Sequence, residues 1–167
     1  GVTDTARAVD CAQAVEAGGA DYLIVHARTR SDGYKFPARW EWIATIRDAV
    51  RIPVVANGDI NSVEAYHACL AATGCQAAMI GRQAICDHFM VRHIRQGQAL
   101  ENVSREHEWE ELLPYLAQYW QQTKIQVTLR HAPGRIKLWL SYLRQHFTEG
   151  ALLYEKLRTA TRIDEVE

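Results

Sequence analysis

Apolar and polar positions along this chain follow two different rhythms. In residues 4–18, DTARAVDCAQAVEAG, the side chains of Ala6, Val9, Ala12, Ala14 and Val15 fall on one side at helical spacing, and Gly18-Gly19 supplies the stop. The next stretch, DYLIVHAR, is a continuous apolar run, the pattern of a strand covered on both faces. A polar loop, TRSDGYKFPAR, leads to a helix predicted over 40–50, then strand 53–57, helix 62–73, strand 76–80 and a short helix from about 84. Helices alternating with strands in this way predict parallel strands joined by crossover helices.

After Gly97 the rhythm changes. WEELLPYLAQYWQQT, GRIKLWLSYLRQHF and GALLYEKLRTAT are amphipathic helical patterns rich in aromatics, with no strand between them. Residues 1–97 therefore read as one α/β domain and 98–167 as a helical one, with LENVSRE as the connection. Three parallel strands leave two raw edges and nothing to close them, whereas a barrel of such units has eight. The expected fold is α/β: the last three β/α units of a (β/α)8 TIM barrel followed by an α-helical bundle. The five missing strands would lie upstream, in keeping with a first residue that is Gly and not Met. A small open α/β sheet is the alternative.

Composition changes this picture little. A hydrophobic share of 48% is enough for a core, and a formal net charge of -1 at pH 7 gives no whole-chain sign of a nucleic-acid partner. The distribution of charge is more telling. Arg130, Arg135, Lys137 and Arg144 occupy a stretch without an acid, while Glu106, Glu108, Glu110 and Glu111 cluster. The four cysteines, Cys11, Cys69, Cys75 and Cys86, show no metal-binding spacing and sit among apolar residues, as reduced, buried thiols of a cytoplasmic protein would. No apolar run is long enough to span a membrane.

Two strand ends carry the candidate chemistry. PVVANGDIN ends an apolar run in Asn57-Gly58-Asp59, and AAMIGRQAI ends another in Gly81-Arg82. At the C-terminal rim of a barrel such corners form a phosphate site: glycine lets backbone N–H groups approach the anion, a helix N-terminus adds partial positive charge, and arginine offers a forked donor. Each motif alone also fits a plain turn. His26, at the end of the first strand, is placed to donate to a cofactor carbonyl, or is structural. Arg28, Arg30 and Tyr34 line an anionic substrate channel, or are merely solvated. In the tail, Ile136, Leu140 and Leu143 form an apolar stripe broadened by Trp139 and Tyr142, the pattern of a bundle helix. Its acid-free basic flank makes Arg130, His131, Arg135 and Lys137 candidates for phosphate contacts. Trp109, Trp120 and Trp139 read as core.

VHARTRSDGY, IPVVANGDI and MIGRQAI, in this order, resemble the second half of the flavin-dependent tRNA-dihydrouridine synthases, whose pattern is His-Gly-Arg-Thr, Asn-Gly-Asp/Glu-Ile, Met-Ile-Gly-Arg-Gly. The tail HAPGRIKLWLSYLRQHF is similar to the C-type bacterial branch, which modifies uridine 16 of the D-loop. Ala27 and Gln83 stand where the family usually has glycine, beside the flavin site. The resemblance implies FMN held by His26, Asn57, Gly58, Asp59, Gly81 and Arg82, NADPH as the reductant, and tRNA gripped by the helical domain. It implies no DNA or membrane partner, and a monomer when full length. The family's proton-donating cysteine belongs to an Asn-x-Gly-Cys-Pro loop in the first half of the barrel, and neither that loop nor the flavin-binding lysine occurs here. None of the four cysteines is assigned its role, so the isolated chain is expected to be inactive. Two alternatives are a tRNA-binding remnant without catalysis and another FMN-dependent barrel oxidoreductase acting on a small molecule.

Overall fold

Local sequence signals set most of the element ends. The Asp4 carboxylate accepts the Ala6 N–H at 2.9 Å and starts a short turn that runs into helix α1 (Ala8–Ala17), and Gly19, at φ +87°, carries the chain out of it. Strand β1 is Leu23–His26, helix α2 Trp40–Ala49 and strand β2 Val54–Asn57. Helix α3 (Val63–Thr73) begins where Ser62 Oγ accepts the Ala65 N–H at 3.0 Å and ends at Gly74, left-handed at φ +64°, whose N–H returns to Leu70. Strand β3 is Ala77–Met79 and helix α4 Gln83–Cys86. The computed structural model describes residues 3–33, 37–97 and 103–167. It divides into two compact units, one ending at Gln83 and the other beginning at Ala84. That division precedes the change of sequence texture after Gly97.

In the first unit the three strands lie parallel in chain order, Leu23 to His26 beside Val54 to Asn57, and Val55 to Asn57 beside Ala77 to Met79. Side chains alternate across the sheet. Leu23, Val25, Val54, Ala56 and Ala78 share one face, where α2 and α3 pack and Val54 and Ala56 are buried. Ile24, His26, Val55, Asn57, Ala77 and Met79 share the other. On that face Ile24 is 49% and Met79 46% exposed. The apolar run in β1 thus does not mark a strand covered on both faces among the described residues; its second face is apolar and open. The core of this unit lies between sheet and helices, around Ile43, Ile46, Ala56, Val63 and Cys69.

The second unit contains α5 (Met90–Gln96), α6 (Arg105–Gln126), α7 (Ala132–Leu143) and α8 (Thr148–Leu157). Helix α5 has no counterpart in the sequence-based expectation. Trp109, Leu112, Leu116, Trp120, Ile136, Leu140, Leu143 and Phe147 form its core, with Trp139 packed against them. The tryptophans are core residues, as their spacing suggested. The connection expected at 100–106 lies partly outside the described residues; Ser104 caps α6 by accepting the His107 N–H at 3.3 Å. Among the described residues no helix is long and apolar enough to cross a membrane.

Beneath the α5–α6 junction lies a charge network. Glu108, 2% exposed, receives His93 Nε2 at 2.5 Å, Arg105 Nη1 at 2.9 Å and Arg92 Nη2 at 3.1 Å. Arg105 also reaches Asp87 at 3.0 Å, and Arg92 reaches Glu111 at 2.7 Å. Three cationic or hydrogen-bonding partners offset the cost of removing one carboxylate from water.

Candidate functional site

Parallel register brings the C-terminal ends of all three strands to one rim. His26 lies beside Asn57 and Asn57 beside Met79, so the three form one row on the open face. A cleft of about 350 Å³ opens at this rim, lined by His26, Arg28, Asn57, Gly58, Asp59, Gly81 and Arg82 together with Ile60, Asn61, Met79 and Gln83. The two glycine corners thus converge on one cleft, with His26 beside them.

The β2 corner is tightly built. Gly58 has φ +133°, and a Cβ there would lie 3.0 Å from Ala38 Cβ and 3.3 Å from Ala27 Cβ, so both backbone conformation and close approach demand glycine. The Gly58 carbonyl accepts Trp40 Nε1–H at 2.8 Å. Asp59 is left-handed at φ +54°, uncommon for a residue with a side chain. Its carboxylate is fully engaged: Oδ1 pairs with Arg28 Nη2, and Oδ2 accepts the Ala38 N–H at 2.6 Å. Both ionic side chains are buried, 4% exposed for Arg28 and 8% for Asp59. Asn57 Nδ2 donates to the Met79 carbonyl at 2.7 Å and ties the β2 and β3 ends together.

Among the described residues the backbone N–H groups of Gly58, Asp59 and Gly81 donate to no acceptor. Gly58 is buried and Asp59 half-buried, and enclosed donors of this kind are normally paired, so they suit an anion; the exposed Gly81 adds a third donor beside them. Gly81 adds a second sign. It is not left-handed, and a Cβ there would meet nothing within 4 Å, so neither strain nor protein packing requires glycine. What its missing side chain leaves is room for a group to lie against the backbone. Arg82, exposed beside it, brings a guanidinium to the same lining. Donors, space and a guanidinium fit a phosphate-bearing cofactor.

The structure gives several residues tasks other than those expected. Arg28, expected on a substrate channel, is a buried partner of Asp59. The Asp59 carboxylate, expected with the phosphate holders, faces Arg28 and the Ala38 N–H. Arg30 is exposed, and Tyr34 lies outside the described residues. Ala27 is buried on the helix-covered side and does not line the cleft, whereas Gln83 does. Trp40 and Ala38 were not foreseen, because nothing local in their sequence marks a partner eighteen or twenty-one residues away. Beyond β1, Asp32 accepts the Thr29 N–H at 2.7 Å, the Thr29 hydroxyl at 2.8 Å and Arg39 at 2.5 Å. Those contacts, the Thr29 N–H foremost, hold the Asp32 carboxyl down to about 2.

Of the cysteines, Cys69, Cys75 and Cys86 are buried, but Cys11 is exposed, contrary to expectation. Burial pushes the Cys69 thiol up to about 11, with Cys75 adding to the shift, so it stays protonated and unreactive.

In the helical unit, Arg130, His131 and Arg135 are exposed at the N-terminal end of α7. Arg130 Nε donates to His131 Nε2 at 3.1 Å, and Arg135 makes no hydrogen bond or ion pair among the described residues. Lys137 differs. Its Nζ donates to the Ala160 carbonyl at 2.6 Å and the Arg158 carbonyl at 3.4 Å, capping the chain beyond α8.

Comparison with known proteins gives one family. The model of the family described as "Dihydrouridine synthase (Dus)" matches residues 1–163. Among relatives, a "tRNA-dihydrouridine(16) synthase" of Ralstonia nicotianae is 46% identical over 158 residues, 95% of this chain and 48% of its own length. Proteins of the same name from Pseudomonas syringae pv. tomato and Cupriavidus necator are 43% and 41% identical, covering 99% and 100% of this chain and 52% and 51% of their own lengths. The chain therefore spans about half the length of the curated relatives it matches.

Proposed function

This chain belongs to the dihydrouridine synthase family, and from that premise we propose that it forms the C-terminal part of a flavin-dependent tRNA-dihydrouridine synthase acting at a D-loop uridine, position 16. The single observation that carries the reading is the convergence of both glycine corners and His26 on one cleft. In this reading the three strands are the last three β/α units of a (β/α)8 barrel. The open apolar face of Ile24, Val55, Ala77 and Met79 supports it, because alternate barrel residues point inward and are covered by the remaining strands.

The N–H groups of Gly58, Asp59 and Gly81, which have no acceptor among the described residues, would hold the phosphate of FMN together with the Arg82 guanidinium. Asn57 fixes the spacing of the two corners through its bond to Met79. His26, one strand along in the same row, would serve the ring system as a hydrogen-bond donor. Bound FMN, reduced by NADPH, supplies the hydride chemistry that converts a uridine to 5,6-dihydrouridine. No cysteine of this chain is placed to protonate the product, so that group lies elsewhere in the complete polypeptide and the isolated chain is inactive. Arg130, His131 and Arg135, exposed in the helical unit, contact tRNA phosphates, and the exposed Arg30 is a further candidate. The protein is cytoplasmic in this reading, and monomeric when full length.

An absorbance spectrum of the full-length purified protein tests the flavin directly. Arg82→Ala is expected to weaken FMN binding roughly 10- to 100-fold, the loss of one charge-assisted contact. A colourless protein that takes up no FMN, or an Arg82→Ala protein that keeps its flavin through dialysis as well as the parent does, sinks the reading.

A further inference from the structure

Asp59 and Arg28 raise a question that phosphate binding does not answer: a carboxylate in a phosphate corner repels the anion unless it faces away. Here it does. Both oxygens are taken, one by Arg28 and one by the Ala38 N–H, and the pair is nearly inaccessible to water. The peptide joining Gly58 to Asp59 is held as well, because its carbonyl accepts Trp40 Nε1–H. A trans peptide points its N–H opposite to its C=O, so the bond to Trp40 turns the Asp59 N–H away from α2. That N–H has no acceptor among the described residues.

On the flavin reading above, we propose that Asp59 and Arg28 are positioning residues for the phosphate corner. Their buried pair joins the β1–α2 loop to the β2 corner and fixes the Gly58–Asp59 peptide, so that Asp59 serves the phosphate by its backbone N–H and not by its carboxylate. Three contacts make this one rigid piece: Asp59 to Arg28, Asp59 to Ala38, and Trp40 to Gly58. All three run from the loop or α2 to the corner, and none involves Arg82. The positive φ of Asp59 is the backbone conformation this arrangement holds in place.

The test compares two ligands in the full-length protein stripped of flavin: FMN and riboflavin, which lacks the phosphate. Affinities of both are measured by fluorescence quenching, alongside the thermal midpoint. Asp59→Asn keeps an acceptor for the Ala38 N–H but removes the carboxylate charge that faces the buried Arg28. It is expected to lower the preference for FMN over riboflavin by about tenfold, although it removes a negative charge from the corner. Should that variant fold poorly, Arg28→Met/Asp59→Asn removes both charges, a replacement that buried pairs tolerate, and the same preference is read. The double variant should lose no more of the preference than Asp59→Asn alone, since the two residues act as a unit. An unchanged or increased FMN preference overturns the proposal, and so does an equal weakening of both ligands, which would mark a purely structural pair. Parent protein that binds neither ligand removes the flavin reading and this inference together, whereas parent that binds both normally while Asp59→Asn keeps its preference removes this inference alone.

Discussion

At the scale of residues, the two cleft glycines do different work, and substitution separates them. Gly58 is required by its own backbone and by Ala38, while Gly81 is required by neither. Gly58→Ala is expected to destabilise the protein by roughly 1–3 kcal/mol, the cost of a side chain at a strained φ with a neighbour pressed against it. Gly81→Ala should leave stability within about 0.5 kcal/mol of the parent, yet weaken FMN binding about tenfold by placing a methyl group where the phosphate approaches. Urea unfolding and FMN titration on the same two samples give the four numbers. Loss of stability at Gly81 without loss of affinity would mean that its lack of a side chain serves packing after all. Only part of this was legible beforehand. The motifs Asn-Gly-Asp and Gly-Arg each also fit a plain turn, and it is their pairing at adjacent strand ends that suggests an anion corner. Which way the Asp59 carboxylate faces was not legible, because Arg28 and Ala38 reach it through space from thirty-one and twenty-one residues away.

At the scale of elements, the helical unit rests on a contact that the charge pattern disguised. Glu106, Glu108, Glu110 and Glu111 read as one acidic cluster, yet Glu108 is buried under Arg92, His93 and Arg105 while the Glu110 side chain is 76% exposed. Removing one partner of a buried ionic network leaves the others uncompensated. Glu108→Ala is therefore expected to cost roughly 3–5 kcal/mol, against less than about 0.5 kcal/mol for Glu110→Ala, both read from chemical denaturation followed by far-ultraviolet circular dichroism. Equal, small effects would show that Glu108 is not the centre of the junction. The same junction explains why α5 went unseen: seven residues make fewer than two turns, too few for a periodicity to stand out. The longer elements were legible because capping and apolar spacing agree, as at Ser62, α3 and Gly74, where both ends fall within a residue of expectation.

At the scale of the whole molecule, the sequence read three strands as part of something larger because a short parallel sheet with apolar faces has nothing to close it. The open row of Ile24, Val55, Ala77 and Met79 gives that reading a surface. The basic tail is a different case, since exposure decides what composition left equal. Arg135 and Lys137 are two residues apart and both positive, but Lys137 caps the carbonyls of Arg158 and Ala160 while Arg135 has no such partner. Of the two, Arg135 is the one open to a phosphate. In the full-length protein, Arg135→Ala should weaken tRNA binding and reduce the slope of log affinity against log salt by about 0.7–0.9, the release of one counterion. Its thermal midpoint and FMN affinity should stay where they are. Lys137→Ala should do the reverse, leaving the slope in place and lowering stability by about 1 kcal/mol through the lost cap. Filter binding across a salt series, paired with a melting curve for each variant, distinguishes them. If Lys137→Ala flattens the slope and Arg135→Ala does not, the cap opens when RNA arrives and the basic face is arranged otherwise than its exposure indicates.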